Sequence, residues 1–348
     1  MRKVGRDEMT PKRRVSAFLA GQEIDRLVCV PLILNHSARV AGLKVSEYNR
    51  SGEAMGKAHV AAFRKYGQDL ITIFSDTSVL AEAMGSRLYY PEDDAPRLEE
   101  PALKSSAEAD KIKPADPQAD GRLPVHLEAI RVAISEVGEE VFVCCCYAMP
   151  FTTAAALIGT ENFVRSLRKC PELAHRLLRV SLETALRFTD AVLAVGGLPI
   201  PVDPVASCSV IGPRQFEEFA GPYIAPVVER IQRAGFPAVL HICGLSNLIW
   251  KQMADTGADV LSLDKVDLEE AKHAVGDRVC LFGNVAPAET LLYGTPETVE
   301  EETRACIRKA FDNPKGFIVG SGCEVPLMTP PENIFAMIDA VRRYGRRA

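Results

Sequence analysis

The sequence lacks an apolar run long enough to cross a membrane. Its most apolar stretches, residues 141–151 and 191–202, fall well short of the roughly 18–20 residues that a membrane span requires. An excess of basic residues is also missing, since 41 Lys and Arg stand against 46 Asp and Glu for a formal charge of -5. Because nucleic-acid binding needs a basic face that displaces counterions, we expect no membrane insertion and no nucleic-acid partner.

Two further absences narrow the class of protein. The basic residues near Met1 are not followed by an apolar segment, so no secretory signal is predicted and a cytoplasmic protein is expected. Without export, the ten cysteines of this 348-residue chain indicate reduced thiols, metal ligands or catalytic sulfurs rather than a disulfide framework. No Gly-rich phosphate-binding fingerprint follows the first apolar run, which disfavours a doubly wound sheet.

What the sequence does contain is a regular alternation of short apolar runs with longer helical segments. Eight runs are predicted as strands: residues 27–34, 70–74, 141–146, 199–203, 238–243, 260–264, 279–283 and 317–321. Continuous apolar strands are typical of a parallel sheet covered on both faces. Eight of them alternating with helices favour one α/β domain over residues 1–348, a (β/α)8 TIM barrel.

Two additions to this barrel are predicted. A helical extension covers about residues 1–25, with Thr10 and Pro11 as the start of its helix. Residues of about 86–118 are rich in proline and charged side chains, and periodic structure resumes on both sides of them. That pattern predicts a loop and hairpin excursion from the barrel rather than a linker between domains.

The carboxyl ends of the predicted strands carry polar residues from distant parts of the chain. Active sites of (β/α)8 barrels lie at this end of the strands, so we expect these residues to converge on one mouth. They are Asn35, His36, Asp76, Tyr147, Asp203, His241, Cys243, Asp264, Asn284 and Cys323. On this placement, Asn35, Tyr147 and Asn284 are candidate cofactor-binding residues.

The most specific local pattern is His241-Ile242-Cys243 together with Cys323 at the last strand. Residues i and i+2 of a strand face the same side, so His241 and Cys243 could bind one metal ion with Cys323 as a third ligand. Such a set fits a zinc site with an open fourth position. The alternative is a hydrogen-bonded histidine with two buried cysteines, and the spacing alone leaves both interpretations open.

Two aspartates near this pattern are candidate catalytic residues. Asp76 could be a substrate-facing carboxylate or the cap of the following helix. Asp264 could be a fourth metal ligand, a partner of His241 or a helix cap, and Glu324 or water could also complete the metal shell. The cysteines at 144–146 would alternate between the two faces of a strand, which indicates packing rather than a cluster of ligands.

Several segments, in this order along nearly the whole chain, resemble the uroporphyrinogen decarboxylase superfamily. They are TPKRRV at 10–15 with IDR at 24–26, FSDTSVLAEAMG at 74–85, MPFTT at 149–153, FGNVAP at 282–287 with GTPE at 294–297, and TPPENI at 329–334. The resemblance implies the (β/α)8 fold independently of the strand pattern.

Residues of the site separate two branches of that superfamily. Decarboxylases have an Arg-x-x-x-Arg pair after the first strand and a histidine six residues before the TPPEN segment. Here Arg39 is the only arginine in residues 34–42, and Cys323 occupies the place of the histidine. A site for a polycarboxylate would lose much of its affinity without paired arginines, so decarboxylation is the less favoured expectation.

The other branch consists of zinc-dependent methylcobamide:coenzyme M methyltransferases, whose His-x-Cys and C-terminal Cys resemble the pattern found here. The resemblance implies that His241, Cys243 and Cys323 bind Zn2+. It also implies methyl transfer between a corrinoid, carried by a small corrinoid-binding partner protein, and a zinc-activated thiol such as coenzyme M. Alternatives are transfer from a methoxylated or methylated substrate to the corrinoid, decarboxylation, or non-catalytic tetrapyrrole binding.

Overall fold

The computed structural model describes residues 7–346, whose strands form a nearly closed parallel barrel and one separate hairpin. In chain order the strands are β1 (Cys29–Leu32), β2 (Leu70–Ile73), β3 (Arg87–Tyr89), β4 (Arg97–Glu100), β5 (Phe142–Ala148), β6 (Leu198–Val202), β7 (Val239–Ile242), β8 (Val260–Leu263), β9 (Cys280–Val285) and β10 (Phe317–Glu324). The barrel order is β1-β10-β9-β8-β7-β6-β5-β2, with β3 and β4 as the hairpin. The predicted (β/α)8 fold is thereby confirmed.

Helices connect the strands and cover the outside of the barrel. They are α1 (Pro11–Leu19), α2 (His36–Val40), α3 (Val45–Tyr48), α4 (Gly52–Tyr66), α5 (Val79–Ala83), α6 (Leu123–Val137), α7 (Pro150–Ile158), α8 (Thr160–Lys169), α9 (Pro171–Ala194), α10 (Pro213–Gln215), α11 (Gly221–Arg233), α12 (Trp250–Asp255), α13 (Leu268–Val275), α14 (Pro296–Ala310) and α15 (Pro331–Tyr344). Within residues 7–346, none of the helices combines the length and the apolar character needed to traverse a bilayer.

A helix precedes β1, and a hairpin lies between β2 and β5. Helix α1 begins after Thr10, whose Oγ1 accepts a hydrogen bond from the backbone N–H of Arg13, and residues 1–6 of the predicted extension lie outside the described residues. Within residues 86–118, β3 and β4 pair in an antiparallel hairpin, which a 3-10 helix at Ser106–Lys111 follows.

A buried ion-pair network closes the barrel between β1 and β2 at the amino ends of the strands. Asp69 precedes β2, and its N–H donates to Cys29 O at 2.9 Å. Its Oδ2 accepts in turn from Cys29 N at 2.7 Å. Arg14 and Arg26 each place a guanidinium nitrogen 2.6 Å from the Asp69 carboxylate. All three charged side chains are buried, so ion pairs shielded from solvent fix this end of the barrel.

The core has two layers, one inside the barrel and one between the strands and the helices. Cys144 and Cys146 belong to the inner layer, whereas Cys145 packs in the outer layer. Burial raises the pKa of Cys144 to about 12, so its thiol stays protonated at neutral pH. The alternation matches the pleat of a strand and assigns Cys144 and Cys145 to packing.

Candidate metal centre

His241, Cys243 and Cys323 meet at the carboxyl-terminal mouth of the barrel. His241 lies on β7, Cys243 follows that strand directly, and Cys323 lies on β10, which is separated from β7 by β8 and β9. His241 Nε2 is 2.9 Å from Cys243 Sγ, and the two sulfurs are 3.3 Å apart. All three potential ligand atoms lie within 4.8 Å of one another, a spacing that one ion can bridge.

A serine on the neighbouring strand orients the imidazole. Ser262 on β8 pairs in register with His241, and its buried Oγ is 2.9 Å from His241 Nδ1. When Nδ1 carries the proton and donates it to this hydroxyl, Nε2 presents its lone pair to the two sulfurs. Metal-binding histidines commonly have a partner of this kind on their other ring nitrogen.

The electrostatics of the three residues favour one thiolate even without an ion. The hydrogen bond from the Cys243 thiol and the contact with His241 lower the pKa of Cys323, and the same pairing with burial raises the pKa of Cys243. Two sulfurs and one imidazole nitrogen form a donor set that suits Zn2+. These three residues therefore fit the zinc ion that the family resemblance implies.

The three residues line a cavity of about 370 Å³ at the mouth. Its walls are mostly apolar side chains of the inner barrel layer, including Leu32, Phe74, Ile200 and Phe282. Ala95 and Pro96, from the loop of the β3–β4 hairpin, complete the wall. The excursion predicted from the sequence thus contributes to the cavity, which its composition did not indicate.

Asp76 lines this cavity and is held by three donors. Its Oδ2 accepts from Arg122 Nη2 at 2.8 Å and from Ser75 Oγ at 2.9 Å, and its Oδ1 accepts from Ser78 N at 2.8 Å. The position combines the two alternatives left open by the sequence, because the carboxylate both faces the cavity and bonds the backbone just before α5. Arg122 was not predicted, since it lies 46 residues away along the chain.

Glu324 also lines the cavity, next to Cys323. Its Oε1 accepts from the backbone N–H of Asn35 at 3.1 Å and from Asn35 Nδ2 at 2.9 Å, and burial raises the pKa of Glu324 to about 7. Asn35 Nδ2 also donates to Ser75 O at 2.7 Å. Asn35 is therefore a support for Glu324, and it is not among the residues that line the cavity.

Asp264 does not line the cavity but supports the candidate metal centre through the backbone next to Cys243. Its Oδ2 accepts from the backbone N–H of Gly244 at 2.8 Å, directly after Cys243. Burial raises the pKa of Asp264. The carboxylate thus fixes the turn that follows Cys243 by a bond to the backbone of Gly244, whereas the ring nitrogens of His241 contact Ser262 and Cys243.

Two of the residues predicted to bind a cofactor, Tyr147 and Asn284, are absent from the described lining of this cavity. Tyr147 follows Cys146 on β5, so the pleat turns its side chain outward, where its hydroxyl lies 2.6 Å from Thr189 Oγ1. Asn284 donates both amide protons to carbonyl oxygens of the loop after β8, Asp264 O at 2.8 Å and Val266 O at 2.7 Å. Both side chains hold the scaffold around the mouth.

Comparison with known proteins places the chain in a family. Residues 10–344 match the uroporphyrinogen decarboxylase (URO-D) family, and the chain belongs to it. Methylcobamide:CoM methyltransferase MtaA of Methanosarcina barkeri is 28% identical over 347 residues, covering 97% of this chain and 99% of that protein. A uroporphyrinogen decarboxylase of Psychromonas ingrahamii is 28% identical over 306 residues, covering 85% of this chain and 84% of that protein.

A solved structure supports the same grouping. A methyltransferase from Methanosarcina mazei superimposes with a TM-score of 0.88 at 27% identity, and the match covers 97% of this chain and 99% of that chain. The methyltransferases thus match over their full length, whereas the decarboxylase matches over a shorter part. Within its family, this chain is an enzyme with methyltransferase activity.

Proposed function

We propose that this methyltransferase is zinc-dependent and transfers a methyl group between a corrinoid on a partner protein and a thiol. The observation that carries the proposal is the convergence of His241, Cys243 and Cys323 at the mouth of an apolar cavity. The relative from Methanosarcina barkeri, which is named for methylcobamide and CoM, supports a corrinoid and a thiol as the two classes of reactant.

Each residue of the site would have its own role in binding the metal ion or in orienting a ligand. His241 Nε2 and the sulfurs of Cys243 and Cys323 would hold the ion, while Ser262 keeps the imidazole in the required orientation. Zinc at this position would supply the acidity that turns a thiol, with a free pKa of about 8.5, into a thiolate at neutral pH. The apolar wall keeps water away from the reacting sulfur.

The methyl transfer then balances without any further reactant. The methyl group would pass to the thiolate sulfur, the electron pair of the broken carbon–cobalt bond would stay with the corrinoid, and the thiol proton would pass to solvent. The corrinoid supplies the leaving-group chemistry, whereas the protein supplies orientation and a dry cavity. Asp76 and Arg122 fix the rim of that cavity by their ion pair.

The surface around the mouth suits a protein that presents the corrinoid. Exposed apolar side chains follow three of the strands there: Leu245 and Leu248 after β7, Tyr293 after β9 and Met328 after β10. Leu248 is 62% exposed and Tyr293 is 80% exposed. Apolar side chains exposed together commonly mark an interaction surface, and a corrinoid must come to this mouth to meet the thiol.

The lining of the cavity favours this activity over decarboxylation. Among the described residues that line it, none is a lysine or an arginine. Binding several carboxylates of a tetrapyrrole needs such cations, with bidentate arginines as the strongest partners. The match to decarboxylases over part of the chain therefore reflects shared ancestry of the fold rather than a shared substrate site.

The test is a methyl-transfer assay with free methylcobalamin. The zinc-loaded protein is incubated with methylcobalamin and a panel of thiols that includes coenzyme M, and the cobalamin spectrum is followed. We expect thiol-dependent loss of methylcobalamin, which Cys323→Ala abolishes and Cys170→Ala retains, because Cys170 is an exposed cysteine between α8 and α9. An unchanged spectrum with every thiol would contradict the proposal.

A further inference from the structure

We infer that the small-molecule substrate of this cavity is an uncharged, apolar thiol or its methylated form, and not an anionic thiol that carries a sulfonate or carboxylate. The inference rests on the proposed function and adds the chemical class of its substrate. It is carried by the charges and the polarity of the residues that line the cavity, beginning with the acidic ones.

Apart from the metal-binding triad and the buried thiol of Cys146, two acids provide the ionisable side chains of the cavity. Among the described lining residues, these acids are Asp76 and Glu324, and the rest of the wall is largely hydrocarbon. Phe74 and Phe282 contribute aromatic surface, and Ile200 contributes aliphatic surface. An anion entering this space would meet acids and hydrocarbon, with no lysine or arginine lining the described cavity.

Arg122, which pairs with the lining residue Asp76, also bonds to other side chains. Arg122 pairs through Nη2 with Asp76 at 2.8 Å and through Nε with Glu82 at 2.7 Å. Its Nη1 donates to Ser75 Oγ at 3.1 Å. Two carboxylates therefore balance its single charge, and its nitrogens have no surplus charge to offer a sulfonate in the cavity.

Arg39, the other arginine considered near the mouth, does not reach the cavity. It lies on α2 with an exposed side chain, and its Nη1 contacts Met328 Sδ at 2.7 Å. It is absent from the described lining of the cavity. Neither arginine is therefore placed to pair with a sulfonate on a substrate whose sulfur lies at Cys243 and Cys323.

The metal site itself does not supply the missing positive charge. A divalent ion bound by the thiolates of Cys243 and Cys323 and by a neutral His241 has no net charge. An anionic substrate would thus lose its hydration without gaining a counter-ion, which is costly in an apolar site. A small uncharged thiol loses little on entry and gains contact with the walls, and the volume of about 370 Å³ suits a small molecule.

Binding of two thiols of similar length tests the inference. Calorimetric titration of the zinc-loaded protein compares propane-1-thiol with 2-mercaptoethanesulfonate, and the methylcobalamin assay is run with the same two compounds. We expect propane-1-thiol to bind at least about tenfold more tightly, because an uncompensated buried charge exceeds the free energy of a tenfold change. Equal or tighter binding of the sulfonate, or no binding of either thiol, would overturn the inference.

The same experiment separates this inference from the proposed function. Tighter binding of propane-1-thiol without methyl transfer to either compound would contradict the methyl-transfer proposal and leave the substrate class supported. Transfer to both compounds with tighter binding of the sulfonate would do the reverse. The affinity order and the turnover are therefore independent readouts.

Two substitutions test the cause. Val202 lines the cavity and pairs with His241 in the sheet, so Val202→Lys should place a cation there and raise sulfonate affinity relative to propane-1-thiol by at least about tenfold. Val202→Met is the matched uncharged control. Asp76→Asn, which is nearly isosteric, should shift the preference the same way by leaving Arg122 with less compensation. An unchanged preference in both Val202→Lys and Asp76→Asn would count against the inference.

Discussion

At the scale of single residues, the proposed metal centre depends on a hydroxyl that would not itself be a ligand. Ser262 Oγ lies 2.9 Å from His241 Nδ1. Ser262→Ala should weaken zinc binding roughly 10- to 100-fold, since the imidazole loses the partner that fixes its orientation. Competition with a chromophoric chelator measures this affinity. Ser135→Ala, at an exposed serine of α6, should leave it unchanged, and equal affinities in all three proteins would contradict the role of Ser262.

A buried aspartate beside the cavity should make stability depend on pH. Asp203 Oδ1 accepts from Thr152 N at 2.8 Å and Thr152 Oγ1 at 2.6 Å, and burial raises the pKa of Asp203 from 3.8 to about 7. Between these values the folded protein keeps a proton that the unfolded chain releases, so this residue's contribution to stability falls as pH rises.

Asp203→Asn removes that titration while keeping an acceptor oxygen for Thr152. The free energy of unfolding of the variant, relative to the unmodified protein, should therefore increase from about pH 4 to pH 7. Urea unfolding at several pH values gives this difference, and Asp93→Asn, at an exposed aspartate, is the matched control. A difference that stays constant with pH would refute the assignment.

The sequence predicts some residues of the site better than others. His241 and Cys243 could be proposed together because strand geometry places i and i+2 on one side, and the barrel pattern added Cys323 at the end of the last strand. Ser262 and Arg122 could not, because each acts on its partner through tertiary packing, 21 and 46 residues away along the chain. A polar residue at a strand end shows where a site lies, but not which side chains support it.

At the scale of elements, the join between β1 and β2 depends on Asp69. Asp69→Ala would leave Arg14 and Arg26 buried with less compensation, so the free energy of unfolding should fall by about 3–5 kcal/mol. Asp312→Ala removes an exposed partner of Lys272 and should cost about 1 kcal/mol or less. Urea unfolding of both variants checks this, and similar costs for the two would contradict the account.

Strands and long helices were predictable, whereas short helices and side-chain direction were not. Eight apolar runs predict the eight barrel strands, because parallel strands covered on both faces are apolar throughout. Helices α2 and α3 have five and four residues, too few for a periodic pattern to indicate. Tyr147 was expected at the mouth because it is a polar residue at the end of a predicted strand, but the alternation of the pleat directs its side chain outward, to Thr189.

At the scale of the whole molecule, the amino end of the barrel contributes to stability and the carboxyl end carries the candidate functional site. The amino end holds buried ion pairs around Asp69, and the carboxyl end holds the proposed metal centre and exposed apolar side chains. If the latter surface receives a corrinoid protein, Leu248→Asp should raise KM for that protein about tenfold or more and leave KM for free methylcobalamin unchanged. Leu19→Asp, at the end of α1, is the control, and parallel effects on both donors would exclude docking there.

The measurement that tests the central claim most directly is the zinc content of purified protein by elemental analysis. The account predicts about one zinc per chain in the unmodified protein, retained in Cys170→Ala and lost in Cys323→Ala together with methyl transfer, because Cys323 provides one of the three ligand atoms. A full complement of zinc in Cys323→Ala would contradict the assignment of the metal centre.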